Sequence, residues 1–142
     1  MKYPLIEIVN SEEETIKLAL NFAEELKSGD VVVLNGNLGA GKTFFVKNVV
    51  KRFGIDNVSS PTFAIVNEYS NSFKFYHFDF YRINNASELF DIGYYDYLNN
   101  LDAVTFIEWG SLIPEVLPQK RIEIEIKIKS DFSREFNFKK YE

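Results

Sequence analysis

Apolar residues change their spacing several times along this chain, and each change marks an element. Tyr3 to Val9 alternates as a short strand. Ser11 and Glu14 then stand at capping-box spacing, and Ile16, Ala19, Leu20 and Ala23 form the apolar stripe of a helix expected to end near Gly29. The run Asp30 to Asn35, DVVVLN, is apolar on both faces, as a strand buried within a parallel sheet must be. A second amphipathic helix follows, with Val46, Val49, Val50 and Phe53 at helical spacing and Lys47, Asn48, Lys51 and Arg52 opposite. Phe63 to Tyr69 and Phe73 to Phe80 are β-rich and joined by Ser70-Asn71-Ser72, which predicts a hairpin. Ala86 to Phe90 and Tyr94 to Asn99 suit short helical pieces, and Ala103 to Ile107 is an apolar strand ending at Glu108-Trp109. Ile122, Ile124, Ile126 and Ile128 alternate with charges across Arg121 to Lys129, and Arg134 to Tyr141 is placed to pair back on that strand.

The expected fold is therefore a three-layer α/β domain. Its central sheet is mixed and mainly parallel, flanked by antiparallel strands. With 142 residues and no evident linker, the whole span 1–142 is expected to form one domain, long enough to bury roughly 68 to 70% of its unfolded surface. The absence of cysteine fits a reducing cytosol, and neither a signal-peptide stretch at MKYPLIEIVN nor an apolar run approaching ~18 residues is present. A soluble cytoplasmic protein without a membrane partner is expected. The net charge of −5 and the scattered basic residues leave no electrostatic footprint for nucleic acid, so any link to RNA is expected to be indirect. Fourteen Phe and eight Tyr are mostly core material, although such an excess can also supply a protein-binding face.

The chemistry enters where the buried strand meets the second helix. Gly36, Asn37, Leu38, Gly39, Ala40, Gly41, Lys42 and Thr43 fit the P-loop pattern of a Gly, four residues, then Gly-Lys-Thr. Glycines let successive amides face one anion, and the helix directs its positive end at the same point. Lys42 would add a charge near the β- and γ-phosphates, and Thr43 supplies a hydroxyl for Mg²⁺. ATP or ADP with Mg²⁺ is the expected ligand, since the Asn-Lys-x-Asp segment that reads guanine is missing.

Two acids are candidates to complete the site. Asp79 lies near the end of the run Phe73 to Phe80, and Glu108 directly follows AVTFI at the tip of a buried strand. Either could serve the metal, and either could equally be a solvated residue at a strand end. Ser60-Pro61-Thr62 occupies the place where other P-loop proteins sense the γ-phosphate, but it also reads as a Pro-bearing turn. His77 is better read as a packed or hydrogen-bonded strand residue than as a base, and Trp109 as a core residue before a partner anchor or a residue stacked on a base. Arg82 could offset phosphate charge or form a surface ion pair.

Five blocks in order, GNLGAGKT (Gly36 to Thr43), SPTFAIVNEY (Ser60 to Tyr69), YHFDFYR (Tyr76 to Arg82), ELFDIGYYDYL (Glu88 to Leu98) and IEW (Ile107 to Trp109), closely resemble the bacterial TsaE family, formerly YjeE. The resemblance spans nearly the whole chain. It implies the ATPase subunit of the machinery that installs threonylcarbamoyladenosine beside the anticodon of tRNAs reading codons that begin with A. The implied partners are TsaD, the transferase, and TsaB, its scaffold, with tRNA met only through the complex. The matching positions are Lys42 for phosphates, Thr43 and Glu108 for Mg²⁺, Asp79 as a Walker-B-like acid, and Thr62 in a switch-like segment. Gly110 stands where the family often has Pro and Phe80 where it usually has Leu, and neither touches the expected chemistry.

Two other readings share the phosphate cradle. A small-molecule kinase usually closes a lid carrying several arginines, whereas this chain has four, widely spaced. A nucleotide-gated binding module without hydrolysis would differ only in whether Asp79 and Glu108 support turnover. No arginine is placed as a finger, a group worth about 10³ to 10⁵ in rate, so activity of the isolated chain is expected to be slow and partner-dependent.

Overall fold

The computed structural model describes residues 1–59 and 65–142. Seven strands form one sheet: β1 (Leu5–Val9), β2 (Val31–Gly36), β3 (Val66–Ser70), β4 (Lys74–Asp79), β5 (Ala103–Glu108), β6 (Arg121–Ile128) and β7 (Arg134–Tyr141), in the spatial order β1-β7-β6-β2-β5-β4-β3. The four central strands β6, β2, β5 and β4 run parallel, while β7 and β1 on one side and β3 on the other are antiparallel to their neighbours. The mixed sheet expected from the pattern is the one observed.

Strand β2 explains why its sequence is apolar without alternation. Val32 and Leu34 face one core, Val31 and Val33 the other, and all four are buried. One face is covered by α1 (Glu12–Glu25) and α2 (Lys42–Lys51), whose Phe22 and Phe45 mesh with Phe136 and Phe138 of β7 at ring separations of 5.2 to 6.2 Å. Each of these buried rings contributes roughly 1.5–3 kcal/mol of transfer free energy. Among the described residues the opposite face carries short elements, α3 (Ser87–Asp91) and α4 (Tyr94–Leu98), with 3₁₀ turns at Gly110–Leu112 and Pro114–Val116. There Leu89, Tyr94, Ile113 and Val116 cover the sheet.

Several details depart from the sequence reading. Helix α1 stops at Glu25, and its buried stripe is Thr15, Leu18, Ala19, Phe22 and Ala23; Leu20 points outward at 37% exposure and Ile16 sits at the margin. The bulk of Phe22, aimed at the Phe cluster, sets the helix rotation. The cap at its start forms as read: the Glu14 amide donates to Ser11 Oγ at 3.1 Å, and Glu14 Oε1 accepts from the Asn10 amide at 2.8 Å. Asn48, placed on the polar face of α2, is buried, its amide group satisfied by the Phe44 carbonyl at 2.8 Å. Ile128 is exposed at the far end of β6. Phe63 and Ala64, read as the start of a hairpin strand, lie outside the described residues, whereas the rest of that hairpin forms as β3 and β4.

The register decides where chemistry can happen. Asp79 is the Cα partner of Glu108 across β4 and β5, and Glu108 is the partner of Leu34, two residues before Gly36. The carboxyl ends of three parallel strands thus meet at one level, the position at which open α/β sheets bind ligands.

Candidate functional site: a glycine loop between two acidic strand tips

Between Gly36 and Lys42 the chain leaves β2 and turns into α2. Gly39 and Gly41 have φ of 81° and 106°, a left-handed backbone that L side chains rarely adopt, and Gly41 is also the residue that opens the helix. A Cβ on Gly36 would come within 2.7 Å of the Ile126 carbonyl, so this position admits only glycine. Lys42 is buried, and its ammonium donates to the carbonyls of Gly36 at 2.6 Å and Asn37 at 3.1 Å. It also lies 4.2 Å from the centroid of the Trp109 ring. Burial lowers the Lys42 pKa, opposed by the charges of Glu108 and Asp79.

The two acids have different surroundings. Glu108 is 3% exposed and accepts from the Thr43 hydroxyl at 2.8 and 3.1 Å through its two oxygens, with His77 Nε2 2.6 Å from Oε2. Asp79 is half-buried, and its Oδ1 accepts from the Tyr81 amide at 2.9 Å. Burial raises its pKa, offset by that amide bond and raised further by Glu108. Trp109 adopts φ 62°, the one non-glycine residue in the left-handed region among the described residues. For so bulky a side chain this costs about 1–3 kcal/mol. It is held by an amide bond to the Leu34 carbonyl at 2.9 Å and by its ring against Tyr81 at 4.9 Å. Trp109 therefore packs against the core, as preferred from sequence, and also walls the site.

Lys42, Thr43, Asp79, Tyr81, Arg82, Glu108 and Trp109 surround a cleft of about 360 Å³ beside Leu38 and Gly39. The structure brings together every candidate except the segment Ser60-Pro61-Thr62, which lies outside the described residues. His77 is buried and hydrogen-bonded, as read from sequence. Among the described residues no group of three or more His, Asp or Glu is arranged to hold a metal alone. What the site offers a cation is the Thr43 hydroxyl beside the Glu108 carboxylate, a hard-oxygen pair of the kind Mg²⁺ uses when phosphates and water complete its shell.

A second cleft, about 390 Å³, opens on the other side of Gly39, Ala40 and Gly41, between the start of α1 and the β6–β7 turn. Arg134 lines it and donates from Nε to the Ala40 carbonyl at 3.3 Å, beside the exposed ring of Phe132. Sequence reasoning missed these residues, because a lone Arg-Phe pair ninety residues beyond the loop carries no local pattern.

The family model described as threonylcarbamoyl adenosine biosynthesis protein TsaE matches residues 9–136. The chain belongs to the TsaE family. Relatives named tRNA threonylcarbamoyladenosine biosynthesis protein TsaE include one from Bacillus subtilis, 44% identical over 128 residues (89% of this chain, 79% of that protein). Another, from Rickettsia typhi, is 40% identical over 135 residues, covering 93% and 92% of the two chains. The crystal structure of YdiB from Bacillus subtilis superposes with a TM-score of 0.81 at 35% identity, covering all of this chain and 88% of that one. This TsaE-family chain also has no helix long and apolar enough to cross a membrane among its described residues.

Proposed function

We propose that this chain binds ATP with Mg²⁺, hydrolyses it slowly when alone, and thereby supports threonylcarbamoyladenosine modification of tRNA in the cytoplasm together with TsaB and TsaD. The observation that carries the reading is the convergence of Lys42, Thr43 and Glu108 on the glycine loop at the carboxyl ends of parallel strands. Relatives at 40–44% identity bear the name of that biosynthetic system.

In this reading the amides of Asn37 to Thr43 cradle the phosphates, and the Lys42 ammonium leaves the Gly36 and Asn37 carbonyls to meet the β- and γ-oxygens. Thr43 and Glu108 are the residues that would hold Mg²⁺, which when bound neutralises charge on the phosphate oxygens. Asp79, at the neighbouring strand tip, is the residue that would orient water for attack on the γ-phosphate. In the second cleft, beside Gly39 to Gly41, the Phe132 ring and Arg134 guanidinium would offer a base and ribose a flat apolar face and a donor. Thr62 would link nucleotide state to partner contact. The exposed Tyr81 ring beside Trp109 and the exposed stacked pair Phe90 and Tyr95 are apolar surface suited to a protein partner.

Phosphate release measured with and without the TsaB–TsaD pair tests the proposal, alongside capture of that pair in the presence of a non-hydrolysable ATP analogue. Slow release that accelerates with the pair, and nucleotide-dependent capture, are expected. Brisk and equal turnover in both samples would exclude partner dependence, capture without any release would indicate a binding module, and failure to capture with phosphoryl transfer to a small acceptor would indicate a kinase.

A further inference from the structure

Behind Glu108 the polar contacts continue into the interior. His77, on β4 and 0% exposed, places Nε2 2.6 Å from Glu108 Oε2 and Nδ1 3.2 Å from the Tyr69 hydroxyl on β3. Tyr69 is buried as well; its hydroxyl donates to the Ser59 carbonyl at 2.8 Å and accepts from the Ser59 amide at 3.3 Å. Asn67 adds donations to the same carbonyl at 3.2 Å and to the Tyr69 oxygen at 3.4 Å. A continuous chain therefore runs from Thr43 through Glu108, His77 and Tyr69 to the main chain at Ser59, the residue that precedes 60–64.

A metal-holding carboxylate offers acceptors only, so the 2.6 Å contact places a hydrogen on Nε2. Tyr69 has one hydroxyl hydrogen, and two acceptors face it: the Ser59 carbonyl and, in the tautomer protonated at Nε2, the Nδ1 lone pair. The hydrogen cannot serve both fully. A change in how Glu108 engages His77 is then transmitted, through the direction of that hydroxyl, to the peptide at Ser59. In a low-dielectric interior such a chain is polarised along its length and penalises any broken link.

We infer that His77 and Tyr69 are positioning residues, His77 fixing the Glu108 carboxylate for metal and Tyr69 tying that carboxylate's state to the backbone at Ser59. The inference rests on the proposed nucleotide reading and deepens it. Ser59 is the point where the chain passes from α2 into residues 60–64, so the relay connects the metal carboxylate with the segment proposed to sense nucleotide.

Trp109, the single tryptophan, directly follows Glu108 and reports on it by fluorescence. The full chain is titrated with MgCl₂ in the presence of ADP while Trp109 emission is followed, amide exchange of the peptide containing Ser59 is measured with and without Mg²⁺, and calorimetry records ADP binding without metal. His77→Leu is expected to raise the Mg²⁺ midpoint about 10-fold or more, while His77→Gln, which keeps a donor toward Glu108, recovers most of the loss. Tyr69→Phe is expected to keep the midpoint within about 2-fold of the native chain and to abolish the Mg²⁺-dependent change in exchange at Ser59. A native midpoint in folded His77→Leu, or a preserved Ser59 response in Tyr69→Phe, overturns the relay. Should His77→Leu fail to fold, His77→Asn decides, because it keeps an amide on the Tyr69 side but does not reach Glu108; a native midpoint there overturns it too. Native chain that takes up no ADP refutes the nucleotide reading and the relay together, whereas ADP uptake with Mg²⁺ responses indifferent to these substitutions refutes the relay alone.

Discussion

The tips of β4 and β5 end at the same level with an acid each, yet the molecule treats Asp79 and Glu108 differently. Glu108 follows a strand buried along its whole length and is enclosed by Thr43, His77 and the flank of Trp109, so both oxygens are committed. Asp79 belongs to a strand followed at once by a 3₁₀ turn, and it caps that turn through the Tyr81 amide. The enclosed acid has its orientation imposed by the core. The capping acid lines the cleft and is held through a single amide bond. In the proposed function one strand tip would hold the metal and its neighbour would respond to the ligand.

This contrast is open to test. Glu108→Gln should lower Mg²⁺-dependent phosphate release by about 100-fold, a loss of about 2.7 kcal/mol in transition-state stabilisation, with metal-free ADP binding nearly unchanged in calorimetry. Undiminished release would remove Glu108 from the holding role. Lys42→Ala takes away the cation that faces both tips, and ADP affinity should fall about 30-fold, in line with the loss of charge-assisted hydrogen bonds. Asp79→Asn should cost about 10-fold in release and leave the Mg²⁺ midpoint within a factor of about 2, separating the responding acid from the holding one.

A pH measurement sharpens the comparison further. Because burial raises the Asp79 pKa, the folded chain holds that proton more tightly than the unfolded chain does. Its contribution to stability is complete below the ordinary carboxylate range and is lost as pH climbs through the raised value. Asp79→Asn should therefore increase the melting temperature by a few degrees at pH 7 and leave it unchanged near pH 3, as read by circular dichroism. The smallest effect is expected between the two acids. Since Glu108 helps to raise the Asp79 pKa, Glu108→Gln should move the Asp79 titration downward in carbon-13 NMR.

Much of this arrangement was legible before any fold was known. The unbroken run of apolar residues in β2 announced a strand covered on both faces, and the octet from Gly36 to Thr43 announced its own loop because glycine alone tolerates those dihedrals and that approach to Ile126. Both acids could be named because each stands just beyond an apolar strand. Their inequality could not, since it depends on His77 reaching Glu108 from thirty-one residues away. Leu20 and Asn48 were misassigned for a related reason: periodicity gives a helix its stripe, but the bulk of Phe22 and a local bond to the Phe44 carbonyl set which edge of the stripe is buried.

The sequence by itself determined the elements, the glycine loop from Gly36 to Thr43 and the kinship to TsaE, because backbone preference, apolar period and motif spacing are local properties of a chain. Only the tertiary structure decided that the Glu108 carboxylate is gripped, that Asp79 caps a turn, that Trp109 is strained over Lys42, and that Arg134 shares a cleft with the start of α1. Those facts follow from strand register and from which side chains the core encloses, and register is fixed by which face of each strand is buried.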